Sequence, residues 1–215
     1  MNVKICGVTT IEDALMCAEA GAGLIGLNFY PKSPRCVTRE TASRIAVAVR
    51  NRSHVRSGSR VSVTPPITLV GVFVNESAEM MRAVLEECGL DLAQLSGDER
   101  DEVVTTMGER GFKAIRHSNY PLPITANQLL LFDAHAAGQY GGTGKQADLE
   151  TAARIATRCR LLLAGGLTLE NVAAAIAQVR PWGVDVASGV ETSPGVKDRE
   201  KVIRFINAAQ EVISC

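Results

Sequence analysis

A chain of 215 residues with 46% hydrophobic and 21% charged content can bury one large core but hardly two, which predicts a single domain over 1–215. Its 23 lysines and arginines balance its 23 aspartates and glutamates. No overall field then draws it to nucleic acid or to an anionic membrane, and an anionic ligand must be met locally. The start Met-Asn-Val-Lys-Ile-Cys-Gly has no signal-peptide pattern, and no apolar run reaches transmembrane length, so a cytoplasmic protein is expected. Six scattered cysteines without a Cys-x-x-Cys pair, with only three histidines, predict reduced thiols and no metal site.

In chain order, the first strand is Val3 to Cys6 and carries a thiol to its C-terminal end. Ile11, Ala14, Leu15 and Ala18 then fall at i, i+3, i+4 and i+7, the stripe of one buried helix face, and Thr9 with Glu12 fits a capping box. A second strand, Leu24 to Phe29, leads into the stiff loop Pro31-Lys32-Ser33-Pro34-Arg35 and a helix striped by Ala42, Ile45, Ala46 and Val49. The polar stretch Asn51 to Pro66, with Arg52, Arg56 and Arg60, reads as a solvated surface insertion, since it has no aromatic residue to stack on a base. Strands at Ile67 to Val74 and Leu90 to Leu95 flank a helix striped by Met81, Val84, Leu85 and Cys88, and Ser96 with Glu99 fits a second capping box. After the strand Phe112 to Arg116, Pro121 and Pro123 leave little room for a full helix within Ser118 to Gln128, so a loop or single turn is expected there. The last three strands are Leu129 to Phe132, Leu161 to Ala164 and Val184 to Ala187. Helical stripes follow at Leu169, Val172, Ala173 and Ile176 and at Val202, Phe205, Ile206 and Ala209.

Eight short apolar runs alternating with helical stripes predict an α/β fold, a (β/α)8 TIM barrel. An open doubly wound sheet is the alternative, but its Gly-x-Gly-x-x-Gly turn after the first strand is absent. Catalytic groups of such a barrel sit at the C-terminal strand ends. Cys6 there is a rim thiol or a small buried hydrophobe, and position alone leaves both open. Asp133 directly follows a buried run and faces the same mouth; the next helix begins only near Asp148, which argues against a capping role. His135, on the loop Ala134 to Lys145, is a fallback base beside the plainer reading of a solvated side chain. Arg35 either pairs bidentately with a ligand carboxylate or is an ordinary surface arginine. Gly165, Gly166, Ser188 and Gly189 end the seventh and eighth strands, and Gly142 and Gly144 follow the sixth. Such small residues let backbone N–H groups approach a phosphate, aided by the dipole of a following helix.

Several segments together resemble phosphoribosylanthranilate isomerase. They are Lys4 to Gly7, Gly26 to Phe29, Ser33 to Arg35, Val70 to Asn75, Gln94-Leu95 with Gly97, Gly141 to Gly144, Ala164 to Leu167, Val184 to Val186, Ser188 to Glu191, Pro194-Gly195 and Lys197-Asp198. They run in order along nearly the whole chain. The resemblance implies a cofactor-free and metal-free Amadori rearrangement of N-(5-phosphoribosyl)anthranilate to the carboxyphenylamino-deoxyribulose phosphate. It implies Cys6 as general base, Asp133 as general acid and Arg35 as partner of the anthranilate carboxylate. The sequence departs from the family pattern at Ser96, where histidine is usual, at Ala147 and Leu149, where aromatic residues are typical, and at Ala187, where serine is usual.

The alternatives are a histidine-pathway isomerase acting on a related phosphosugar, a metal-dependent epimerase and a catalytically impaired phosphate-binding barrel. The first needs a carboxylate where Cys6 stands, and the second needs more strand-end histidines than His117 and His135. The expected partner is a small phosphorylated molecule, with no nucleic acid and no membrane; both monomer and homodimer stay open.

Overall fold

The computed structural model describes residues 1–51, 66–116, 125–134 and 148–212. Eight parallel strands close a barrel in chain order: β1 (Asn2–Cys6), β2 (Leu24–Asn28), β3 (Thr68–Phe73), β4 (Leu92–Leu95), β5 (Gly111–Ile115), β6 (Leu129–Asp133), β7 (Arg160–Ala164) and β8 (Gly183–Val186). The seam is the β1–β8 pair, in register from Asn2 opposite Gly183 to Ile5 opposite Val186. Around the barrel lie α1 (Ile11–Ala20), α2 (Arg39–Asn51), α3 (Ala78–Cys88), α4 (Asp101–Met107), α5 (Leu149–Ala156), α6 (Val172–Val179) and α7 (Arg199–Glu211). A short antiparallel pair, β9 (Glu191–Ser193) and β10 (Val196–Lys197), stands between β8 and α7. The (β/α)8 expectation therefore holds.

The apolar runs split by strand alternation, since successive side chains point to opposite faces. Val3, Ile5, Leu69, Ala93, Leu95, Phe132 and Val184 face outward and pack with the helix stripes, among them Ala42, Ile45, Ala46 and Val49 of α2 and Met81, Val84 and Leu85 of α3. Leu24, Val70, Phe112, Leu131, Leu162 and Ala164 fill the inside of the barrel. Burial on both faces is why each strand reads as a near-continuous hydrophobic run. Each fully buried Leu, Ile or Phe stabilises the fold by about 1.5–3 kcal/mol relative to exposure.

Both capping boxes differ from the sequence expectation. The cap of α1 is Thr10, whose side chain accepts from Asp13 N at 3.1 Å. Thr9 instead donates from Oγ1 to Gly195 O at 2.6 Å, tying the start of α1 to the β9–β10 turn. Two adjacent threonines each precede an acid by three positions, and the spacing cannot choose between them. At Ser96 there is no cap at all, because α4 starts only at Asp101, after Arg100. Glu99 turns inward, accepts from Asn75 N at 2.8 Å and Gly97 N at 3.0 Å, and pairs with Lys113. Of the stretch 51–66 only Asn51 and Pro66 are described, and Pro66 lies at the N-terminal end of the barrel. The helix-free connection expected after β5 falls mostly at 117–124, outside the described residues; 125–128 make a turn closed by Gln128 N donating to Thr125 O.

Candidate active site

At the end of β1, Cys6 is half-buried and lies on the same inward face as Lys4, two residues before it. The Lys4 ammonium is completely buried and pairs with Asp185 of β8, Nζ to Oδ1 at 2.8 Å, directly across the seam. Gly26 of β2 makes the space: a Cβ there would come within 3.0 Å of Cys6 Sγ and 3.2 Å of Lys4 Cε. Burial pushes the Cys6 thiol above its ordinary range; Lys4 pulls it down, Asp185 pushes it up and Lys197 pulls it down. Burial acts to lower the Lys4 ammonium, but Asp185 and Cys6 outweigh it and hold the group above its usual value.

Beside Cys6, a second buried carboxylate gathers the cations. Glu191 accepts from Arg35 bidentately, at 2.9 Å from Nε and 2.6 Å from Nη2, and from Lys197 Nζ at 2.7 Å. Lys197 also donates to the backbone oxygens of Cys6 at 2.6 Å and Ala187 at 3.3 Å, joining the ends of β1 and β8. Burial alone would raise the Glu191 carboxyl, but its hydrogen bonds to Arg35 and Lys197 hold it below the usual range. The loop carrying Arg35 is folded by local turns, with Ser33 Oγ accepting from Arg35 N at 3.1 Å and Val37 N donating to Asn28 O at 2.8 Å. From it the Arg35 side chain crosses over Gly7, where a Cβ would lie 2.4 Å from Arg35 Cδ. Gly7 also has φ 73°, so both conformation and space require glycine. The Arg35 side chain stays 22% exposed above this contact.

A cavity of about 330 Å³ opens at the C-terminal strand ends, lined by Asp133, Asp185, Gln94, Ser96, Gly165 and Ser188 among others. Asp133 ends β6, half-buried, three strands from Cys6 around the closed sheet. After β7, Gly165 and Gly166 line the cavity with φ values of 99° and 68°, a region that favours glycine. Asn171 fixes this loop by accepting from Thr168 N at 2.8 Å and donating to Gly166 O at 2.9 Å. Gly189 sits in the 3-10 turn Ser188–Val190, where a Cβ would be 2.1 Å from Leu167 O, so the loops after β7 and β8 pack backbone to backbone. Gln94 is buried; its Nε2 donates to Ser96 Oγ at 3.0 Å, and its Oε1 has no hydrogen-bond partner among the described residues.

Residues 3–208 match the sequence profile of the family described as N-(5'phosphoribosyl)anthranilate (PRA) isomerase. The chain belongs to this family. It is 46% identical over 217 residues to N-(5'-phosphoribosyl)anthranilate isomerase of Roseiflexus castenholzii, covering 98% of each chain. It is similar to the crystal structure of phosphoribosyl anthranilate isomerase from Thermotoga maritima, with TM-score 0.81 and 37% identity over 98% of this chain and 99% of that one. It is also similar to a phosphoribosyl anthranilate isomerase solved in complex with reduced 1-(o-carboxyphenylamino)-1-deoxyribulose 5-phosphate, with TM-score 0.78 and 35% identity over the same shares.

Of the residues singled out in the sequence, Cys6, Arg35, Asp133, Gly165, Gly166, Ser188 and Gly189 all stand at the C-terminal end of the barrel. His135, Gly142 and Gly144 lie outside the described residues. Sequence reading missed the roles of Lys4, Asp185, Gln94, Glu191 and Lys197. One signal was available for the first three: with a period of two, Lys4 shares the face of Cys6, Gln94 that of Leu92, and Asp185 that of Gly183, so each polar side chain falls inside the barrel. Among the described residues no group of three His, Cys, Asp or Glu could hold a metal, and no helix is long and apolar enough to cross a membrane. The five described cysteines are free thiols.

Proposed function

We infer that the chain carries out the reaction its family is named for, the aldose–ketose isomerisation of N-(5'-phosphoribosyl)anthranilate in tryptophan biosynthesis, with Cys6 as general base and Asp133 as general acid. Asp133 protonates the furanose ring oxygen as the C1–O bond breaks, and the anilino nitrogen supplies the electrons that form the iminium. The Cys6 thiolate then takes the C2 proton, the C2–H electrons form a C1–C2 double bond, and the iminium is neutralised to an enolamine. Ketonisation adds a proton at C1 and removes one from the C2 hydroxyl, which leaves the proton count unchanged.

The observation that carries this reading is the joint placement of a thiol and a carboxylate at one barrel mouth, with a glycine-lined cavity between the loops of β7 and β8. The phosphate is taken by backbone N–H groups around Gly165, Gly166, Ser188 and Gly189, with Gly142 and Gly144 contributing from the preceding loop. Arg35 receives the anthranilate carboxylate on the part of its guanidinium turned to solvent, while Glu191 holds its other edge. The chain works as a cytoplasmic monomer or homodimer on a diffusing small molecule. In a tryptophan auxotroph lacking this isomerase, expression of the chain restores growth; soluble expression without rescue would overturn the reading.

A further inference from the structure

We propose that Lys4 is a positioning residue for the base: its buried ammonium, anchored by Asp185, is the cation beside which the Cys6 sulfur carries negative charge when the C2 proton is removed. The proposal rests on the reading of Cys6 as base.

A lysine is almost never fully buried unless paired, and a buried ion pair is weak evidence for stability, since apolar side chains of similar volume serve a core as well. Of the two residues in register with Lys4, Leu24 on β2 is apolar and Asp185 on β8 is its ion-pair partner. Asp185 occupies one side of the ammonium at 2.8 Å. The missing Cβ of Gly26 lets the lysine stem and the sulfur converge on one spot. Cys6 Sγ and Lys4 Cε lie 3.0 and 3.2 Å from that same point, which sets the thiol beside the end of the lysine side chain.

Other charges near the sulfur are committed elsewhere. Lys197 of β10 holds Glu191 and the backbone oxygens of Cys6 and Ala187. Arg35, from the loop after β2, is bidentate to Glu191 of β9. Asp185 of β8 opposes a thiolate, and Lys4 of β1 is the cation between them. In the reaction the S–H bond forms as C2–H breaks, the thiolate charge disappears, and the Lys4–Asp185 pair stays intact. An anchored ammonium is thus available for each turnover without itself giving up a proton.

The test is titration of the Cys6 thiolate by its ultraviolet absorbance, taken as a difference against Cys6→Ser in the full chain, together with the pH profile of kcat/KM. Lys4→Met raises the pH at which Cys6 ionises by about 1–3 units, as loss of a close opposite charge does. It also lowers kcat/KM near neutrality by roughly tenfold or more, with recovery as the pH rises. Lys4→Arg keeps the titration near that of the parent chain. Because Lys4→Met leaves Asp185 buried without its partner, the double variant Lys4→Met/Asp185→Asn is measured as well; it keeps the core neutral and again shifts ionisation upward. A Cys6 titration that stays in place or moves down in these variants overturns the proposal. Failure of the underlying reading looks different: Cys6→Ala then turns over substrate at a near-normal rate, whatever the titration does.

Discussion

The barrel has a cavity at each end, about 680 Å³ at the N-terminal ends of the strands and about 330 Å³ at the C-terminal ends. The larger is lined inside the barrel by Leu24, Leu92, Phe112 and Leu129, with Asn2, Thr68, Glu109 and Arg160 at its rim; the smaller is lined by Gln94, Arg116 and Asp133, two to four residues farther along the faces of Leu92, Phe112 and Leu129, and by Asp185. Each strand therefore changes character along its length: Leu92 gives way to Gln94, Phe112 to Ala114 and Arg116, Leu131 to Asp133. The apolar layer helps hold the sheet closed, and the polar end is where we place the ligand; among the described residues helix N-termini follow seven of the eight strands. Cavity size does not distinguish the two; the polarity of the inward residue in the last layer does. Lys4 and Asp185, in register across the seam, carry this polarity below Cys6, and the Lys4 side chain is completely buried.

This contrast can be broken by substitutions that move stability and turnover together. The largest effect in free energy belongs to the apolar end: Phe112→Ala lowers unfolding free energy by about 3–5 kcal/mol in denaturant titration, while kcat measured where the variant is folded stays within about twofold. At the polar end Cys6→Ala and Asp133→Asn each lower kcat by at least ~100-fold, with thermal unfolding close to that of the parent chain. Turnover near normal in either variant removes that residue from the mechanism. Arg35→Met acts mainly on affinity, raising KM by about tenfold with a smaller change in kcat; an unchanged KM sinks the carboxylate clamp.

The smallest effect is one of pH. Glu191 has its carboxyl held below the ordinary value of 4.5 in the fold, so its contribution to stability is fully present above that value and is lost as the pH falls toward the lowered one. Stability measured across that acid range declines less steeply in Glu191→Gln than in the parent chain. A decline of equal slope would show that the Glu191 hub does not govern the acid limb.

The barrel was legible because every strand, buried on both faces, announces itself as an apolar run, and because Asp133, Arg35 and the glycine pairs stand at the ends of those runs. The ion pairs of the site were not. Lys4 and Asp185 are 181 positions apart, and Lys197 lies 191 positions from the Cys6 oxygen it holds. Only closure of the sheet brings them together, and residue spacing carries no record of that. The Ser96–Glu99 box failed for a related reason: Glu99 has an inward set of partners in Asn75, Gly97 and Lys113, on three separate segments, and these outcompete a local cap.

The seam between β1 and β8 has a further consequence for a chain that emerges from the ribosome N-terminus first. Cys6 is made well before Asp185, Glu191 and Lys197. Until the eighth strand docks, the thiol lacks its cavity, and Lys4 lacks Asp185 and stays hydrated. On the reading of Cys6 as base, a chain cut short before its eighth strand turns over no substrate.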